Sequence, residues 1–198
     1  MSACRTQAQL AALRTAQVLV ISTLARDAKL NAVTAGRYLD LLETSFLIHR
    51  LPPFLKNRSS RLVKSPKLFF TDSGLAAHMA GVTSIEPGRD DLHRGALFET
   101  YVAQNLAALL EAHVPDAQLS YWQEQGRHEV DFVIEAGRKV LAIEVKAATR
   151  WSESELSGLR AFLERTPACI AAILAYNGTK SVRLDDRLWA IPIAQLLR

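Results

Sequence analysis

"VLAIEVKAAT", residues 140–149, reads as a buried strand with two charges in its middle. A strand alternates faces with period two. Glu144 and Lys146 therefore share one face, while Ile143, Val145 and Ala147 take the other. A charge buried without a partner is costly in a protein interior. The two must be solvated, be paired with each other, or hold something. A plain ion pair at a sheet edge is one answer; the acids elsewhere in the chain point to a second.

Asp131 lies inside "EVDFVIE", between Val130 and Phe132, again an acid within a strand. A hairpin joining that strand to 139–147 would set Asp131 beside Glu144. Glu99 falls in "GALFETYVAQNLAALLEAH" (95–113), a strong amphipathic helix. Val102 and Leu106 stand three and seven positions on, which puts Glu99 on or beside the apolar stripe. Carboxylates drawn together repel, and their pKa values rise unless a cation neutralises them. Hard oxygen ligands of this kind suit Mg²⁺, which usually takes one or two carboxylates and keeps several waters. A lysine on the same face would orient or activate a metal-bound water and stabilise charge on a phosphate. Helix Glu, strand Asp, then Glu-x-Lys is a layout for metal-dependent phosphodiester hydrolysis.

Around this centre the second half reads as α-β-β-β-α-β. "LSYWQ", "HEVDFVIE" and "KVLAIEVKA" are successive strands joined by short turns. Ser152 with Glu155 opens a helix over 152–166 in a capping-box pattern. "ACIAAILAY" is a central strand, "RLWAIPI" a last short one and "AQLLR" a terminal helical turn. The first half differs. Helical spacing runs over 5–25, with a second stretch near 18–28. Asn31 caps a third helix, "AVTAGRYLDLLETS", with Val33, Tyr38, Leu41 and Leu42 on one face. Lys29 stands where the turn would favour glycine. "FLIHRLPPFL" and "KLFFTD" form a hairpin around the basic turn "KNRSSRLVKS", and Asp72 or Ser73 caps "GLAAHMA". The expected organisation is a winged helix-turn-helix over 1–80, a linker over 81–94 and an α/β domain over 95–198.

Charge divides the same way. Residues 1–90 carry 12 Lys/Arg against 6 Asp/Glu, and residues 91–198 carry 12 against 14. Between Thr44 and Thr71 lie Arg50, Lys56, Arg58, Arg61, Lys64 and Lys67 with no acid among them. On a wing these form a phosphate-binding strip, with Arg37 and Thr34 on the third helix facing a groove. Double-stranded DNA is the expected partner. A generic solvated surface is the alternative. Two cysteines make no disulfide framework and fit a reducing compartment. No apolar stretch is long and charge-free enough to span a bilayer, and no signal-peptide pattern opens the chain. The expected location is the cytoplasm.

"ALFETYV" followed by "EVDFVIE…VLAIEVKAATR" resembles the PD-(D/E)xK nuclease superfamily of restriction enzymes and junction resolvases. The resemblance implies a restriction-endonuclease-like αβββαβ domain with a mixed sheet. It matches Glu99 to the helix acid, Asp131 to the second-motif Asp, and Glu144 and Lys146 to the (D/E)xK pair. Val130 stands where the superfamily name has Pro. "LARDAKLNAVTAGRYLDLLETSFLIHRLPPF" and "RLVKSPKLFFTDSGLAAHM", with the motifs above, resemble the C-terminal region of uncharacterised bacterial and archaeal AAA+ ATPases. That implies an ATPase as partner. The chain itself holds no G-x-x-x-x-G-K-[ST], so the ATPase part is expected to lie outside it. Two functions follow: a DNA-binding, Mg²⁺-dependent nuclease-like protein, or a non-catalytic binding and assembly module. A transcriptional regulator using the wing alone is a third.

Overall fold

The computed structural model describes residues 3–55, 64–86, 91–124 and 127–198. Helices and strands are mixed throughout, and by internal contacts the chain divides into two compact units. One comprises Met1–Leu51 with Ser65–Gln104, the other Pro52–Lys64 with Asn105–Arg198. The longest helix among the described residues, Asp91–His113, contains the dividing point. It begins four residues before the expected Gly95, so 91–94 is helix, not linker.

The first unit runs α1 (Ala3–Ala12), β1 (Gln17–Val18), α2 (Ile21–Asp27), α3 (Ala32–Thr44), β2 (Ile48–Leu51), β3 (Lys67–Phe70) and α4 (Ser73–Ala80), then enters α5 (Asp91–His113). The strands form an antiparallel sheet in the order β1-β3-β2. The helical spacing over 5–25 does not give one helix. Ala16 takes a left-handed φ of 63° and donates its N–H to Leu68 O at 2.7 Å, which turns the chain into β1. Asn31 caps α3 as expected, its Oδ1 accepting from Thr34 N at 2.8 Å. The buried stripe of α3 is Ala35, Leu39 and Leu42, spaced four and three apart. Val33 and Leu41, expected on the apolar face, are exposed instead. They lie on the far side of the helix from that stripe, and the small Ala35 fills a core place that the larger Val33 seemed to claim. Asp72 Oδ1 caps α4 by accepting from Leu75 N at 2.6 Å, and Gly81 closes it at φ 74°. Leu24, Leu39, Leu42, Ile48, Leu68, Phe70 and Leu97 belong to the core.

The second unit carries β4 (Gln118–Glu124), β5 (His128–Ala136), β6 (Lys139–Lys146), a 3₁₀ turn (Glu153–Leu156), α6 (Ser157–Arg165), β7 (Cys169–Tyr176), β8 (Val182–Asp185), β9 (Leu188–Pro192) and α7 (Ile193–Leu196). The sheet order is β4-β5-β6-β7-β9-β8. β4, β5 and β6 are antiparallel neighbours, β6-β7 and β7-β9 are parallel, and β8 pairs antiparallel with β9. The sheet is therefore mixed, with "ACIAAILAY" inside it as expected. β8 was not legible: its exposed edge position leaves no apolar alternation. The capping box of Ser152 and Glu155 forms, although the first turn is 3₁₀. α6 packs against β5, β6 and β7, burying Leu159 and Phe162. Phe162 meets Phe54 and Trp122 edge-on at 5.4 and 5.3 Å.

Candidate functional site

β4 and β5 do not keep step along their whole length. Ser120 pairs with Val133, but Trp122 pairs with Val130, so two residues of β4 span three of β5. The extra residue makes a bulge, and Asp131 sits in it. Bulges re-aim side chains and end pairing, often beside functional sites. The ladder between β5 and β6 closes at Phe132↔Ile143, one step before Asp131 and Glu144. Beyond it, Val145 N donates to Asp131 Oδ2 at 2.8 Å. A carboxylate has replaced a backbone carbonyl as the acceptor. Asp131 is buried, and this bond fixes it.

The question posed by the two charges of β6 now has its answer. Lys146 Nζ donates to Glu144 Oε1 at 2.9 Å, so the same-face pair is an ion pair. The side chains keep 29% and 12% of their exposure respectively. They stand where β6 leaves β5 but still runs beside β7, Glu144 opposite Leu174 and Lys146 opposite Tyr176. Burial on its own pulls the Lys146 pKa down. The charge and hydrogen bond of Glu144 outweigh it, with the charges of Asp131 and Glu155 adding, and the ammonium is held above its ordinary value. Lys146 is thus a fixed cation at neutral pH. Asp131 and Glu144 both act on it.

Glu155 is the addition. The capping box was legible, but not that the acid serving it faces Lys146. Its Oε2 accepts from Ser152 N at 2.7 Å while its charge acts on the ammonium.

Glu99 stands differently. In the first unit its Oε2 lies 3.6 Å from Lys67 Nζ. Among the described residues no three His, Cys, Asp or Glu side chains gather as a metal-ligand set.

The basic strip is also revised. Lys67 is buried, 4% exposed at its side chain, because β3 is covered on both faces; its charge is met by Glu99 rather than offered to a phosphate. Arg50 Nε donates to Glu43 Oε2 at 2.6 Å, and its Nη2 donates to Asp40 Oδ1 at 2.6 Å. Two carboxylates thus already occupy that guanidinium. Arg37 and Lys64 are exposed. Lys56, Arg58 and Arg61 lie outside the described residues. No helix among the described residues is long and apolar enough to cross a membrane.

Two family models match the chain. One, described as a domain of unknown function (DUF4143), covers residues 94–196; another, also a domain of unknown function (DUF8612), covers residues 2–86. The chain is 30% identical over 174 residues to the uncharacterized proteins Mb2031c of Mycobacterium bovis and Rv2008c of Mycobacterium tuberculosis. The match takes in 88% of this chain and 38% of each relative, so the chain spans well under half their length. No solved structure matches it.

Proposed function

This chain belongs to the family defined by the domain of unknown function DUF4143, and from its geometry we propose a DNA-binding protein whose second unit is a PD-(D/E)xK-type, Mg²⁺-dependent phosphodiesterase domain. The observation that carries the reading is the bulge that holds Asp131 on Val145 N–H beside the Glu144–Lys146 pair. A strand Asp beside a Glu-x-Lys on the next strand supports that chemistry. The run α5, β4, β5, β6, α6, β7 is the order of a restriction-endonuclease-like core.

The donor set fits the metal. Asp131 and Glu144 offer hard oxygens, and Mg²⁺ needs only one or two carboxylates from a protein. When bound, the ion would supply charge neutralisation for the phosphate and a more acidic water. The protein residues do the rest. Val145 N–H holds the Asp131 carboxylate in place. Lys146, held by Glu144, binds and orients an anionic phosphate. The charge of Glu155 adds to that of Glu144 and Asp131 on the ammonium. Glu99 is held by Lys67 within the first unit and is not needed as a ligand in this reading.

The first unit supports duplex binding by its order: helix, strand, helix, helix, strand, strand, with the sheet β1-β3-β2. That is the order of a winged helix. In this reading Lys56, Arg58, Arg61 and Lys64, which fall between β2 and β3 in the sequence, contact phosphates.

The test is nicking of supercoiled plasmid with Mg²⁺, comparing wild type with Asp131→Asn and Lys146→Met. The expected result is cleavage by wild type alone, with each variant slowed at least a hundredfold. Equal rates in all three would refute the site. A second reading, a non-catalytic module that docks on an AAA+ ATPase, draws on the closed Glu144–Lys146 ion pair. It requires that wild type cut nothing.

A further inference from the structure

The exposed side of α3 does not resemble a surface that reads DNA. Val33 is 67% exposed and Leu41 54%, with Arg37 between them at four-residue steps. These three lie on one helix face. Asp40 shares it and is 63% exposed at its side chain. Gly36 lies at its edge, and a Cβ built there would meet nothing within 4 Å. Just past the helix, Phe46 leaves 83% of its surface open. Single exposed apolar residues are ordinary, whereas several grouped around one helix mark an interaction surface.

The charges identify the occupant. Among the described residues Arg37 has no ion pair and no hydrogen bond to another side chain. Asp40 gives Oδ1 to Arg50 at 2.6 Å, while no hydrogen bond among those residues takes its Oδ2. Arg37 and Asp40 are three apart, one of each sign, on a face they share with Val33, Leu41 and the exposed Thr44. Such a face complements itself. Two copies of α3 laid antiparallel and centred midway between positions 38 and 39 would set Arg37 against the partner's Asp40. They would also set Leu41 against the open space over the partner's Gly36. Each contact occurs twice, as two-fold symmetry demands.

We propose that this chain forms a two-fold homodimer through the exposed face of α3, closed by two Arg37–Asp40 ion pairs and two Leu41–Gly36 contacts. Arg37 is then an assembly residue, and α3 does not enter a groove.

Sedimentation of the full chain at about 100 μM, where even a weak interface populates, tests this with charge reversal. Wild type is expected as a dimer. Arg37→Asp and Asp40→Arg are each expected to sediment as monomers, at least tenfold weaker in association, because each sets like charges face to face. An equimolar mixture of the two is expected to dimerise again, as is the double variant. Both positions are exposed, and Glu43 still holds Arg50 when Asp40 is changed; circular dichroism of each variant confirms the fold. A monomeric wild type overturns the proposal. So do single variants that dimerise like wild type, or a mixture that fails to restore the dimer. A monomeric wild type that loses DNA affinity on Arg37→Asp would make this face a nucleic-acid contact instead.

Discussion

Asp131 has two duties, and they separate on substitution. Its Oδ2 satisfies the buried N–H of Val145, and its charge acts on Lys146. Removing a partner from a buried donor costs about 1–3 kcal/mol. Asp131→Ala is therefore expected to lower the unfolding free energy, read from urea titration, by that amount. Asp131→Asn, which keeps an acceptor oxygen, is expected to lose less than half as much. Equal losses would mean that the hydrogen bond contributes nothing to stability. The acid itself was legible in the sequence, because a carboxylate flanked by Val130 and Phe132 needs a reason. Its setting was not, because a bulge depends on how two strands match and leaves no mark on either alone. Lys67 shows the opposite failure. A lysine in a basic stretch reads as surface, and only the covered face of β3 and the acid of a distant helix reveal it as buried. Lys29 was better marked: it takes the left-handed φ of 55° that its place in the turn required.

At the level of elements, the capped helices and the apolar strands followed their patterns closely. Asn31, Asp72 and the Ser152–Glu155 box act within four residues, and local chemistry is what a sequence displays most directly. β1 and β8 escaped because one has two residues and the other is a solvated edge. α6 owes its position to a single missing side chain. A Cβ on Gly158 would lie 2.1 Å from Glu129 O, a backbone atom that cannot swing aside. Helix and strand touch there at closer range than any other residue allows. Gly158→Ala is expected to cost about 1–3 kcal/mol as an overpacking change, read as a lower thermal midpoint. Because α6 carries Leu159 and Phe162 into the core beside β5, the loss is also expected to loosen Asp131. A variant as stable as wild type would show that α6 can move off the sheet at no cost.

Over the whole molecule, the alternation of basic and acidic halves was visible from composition, and two compact units are present, though their division lies inside α5. Composition averages over a segment and cannot find a boundary within one continuous helix. If the cations between β2 and β3 bind duplex DNA, log affinity is expected to fall linearly with log salt, by about 0.9 per phosphate contacted. Lys64→Ala is expected to reduce that slope by about 1, whereas Lys67→Ala is expected to leave it unchanged while destabilising the first unit. A slope indifferent to Lys64 would remove the hairpin from the interface. The central proposal is that Asp131 and Glu144 of the second unit together hold a divalent cation. Calorimetric titration of Mn²⁺ or Mg²⁺ into the full chain tests it without reference to any substrate. One site on wild type, abolished by Asp131→Asn at unchanged fold, is the result expected; no heat from wild type, or the same isotherm from both proteins, would contradict it.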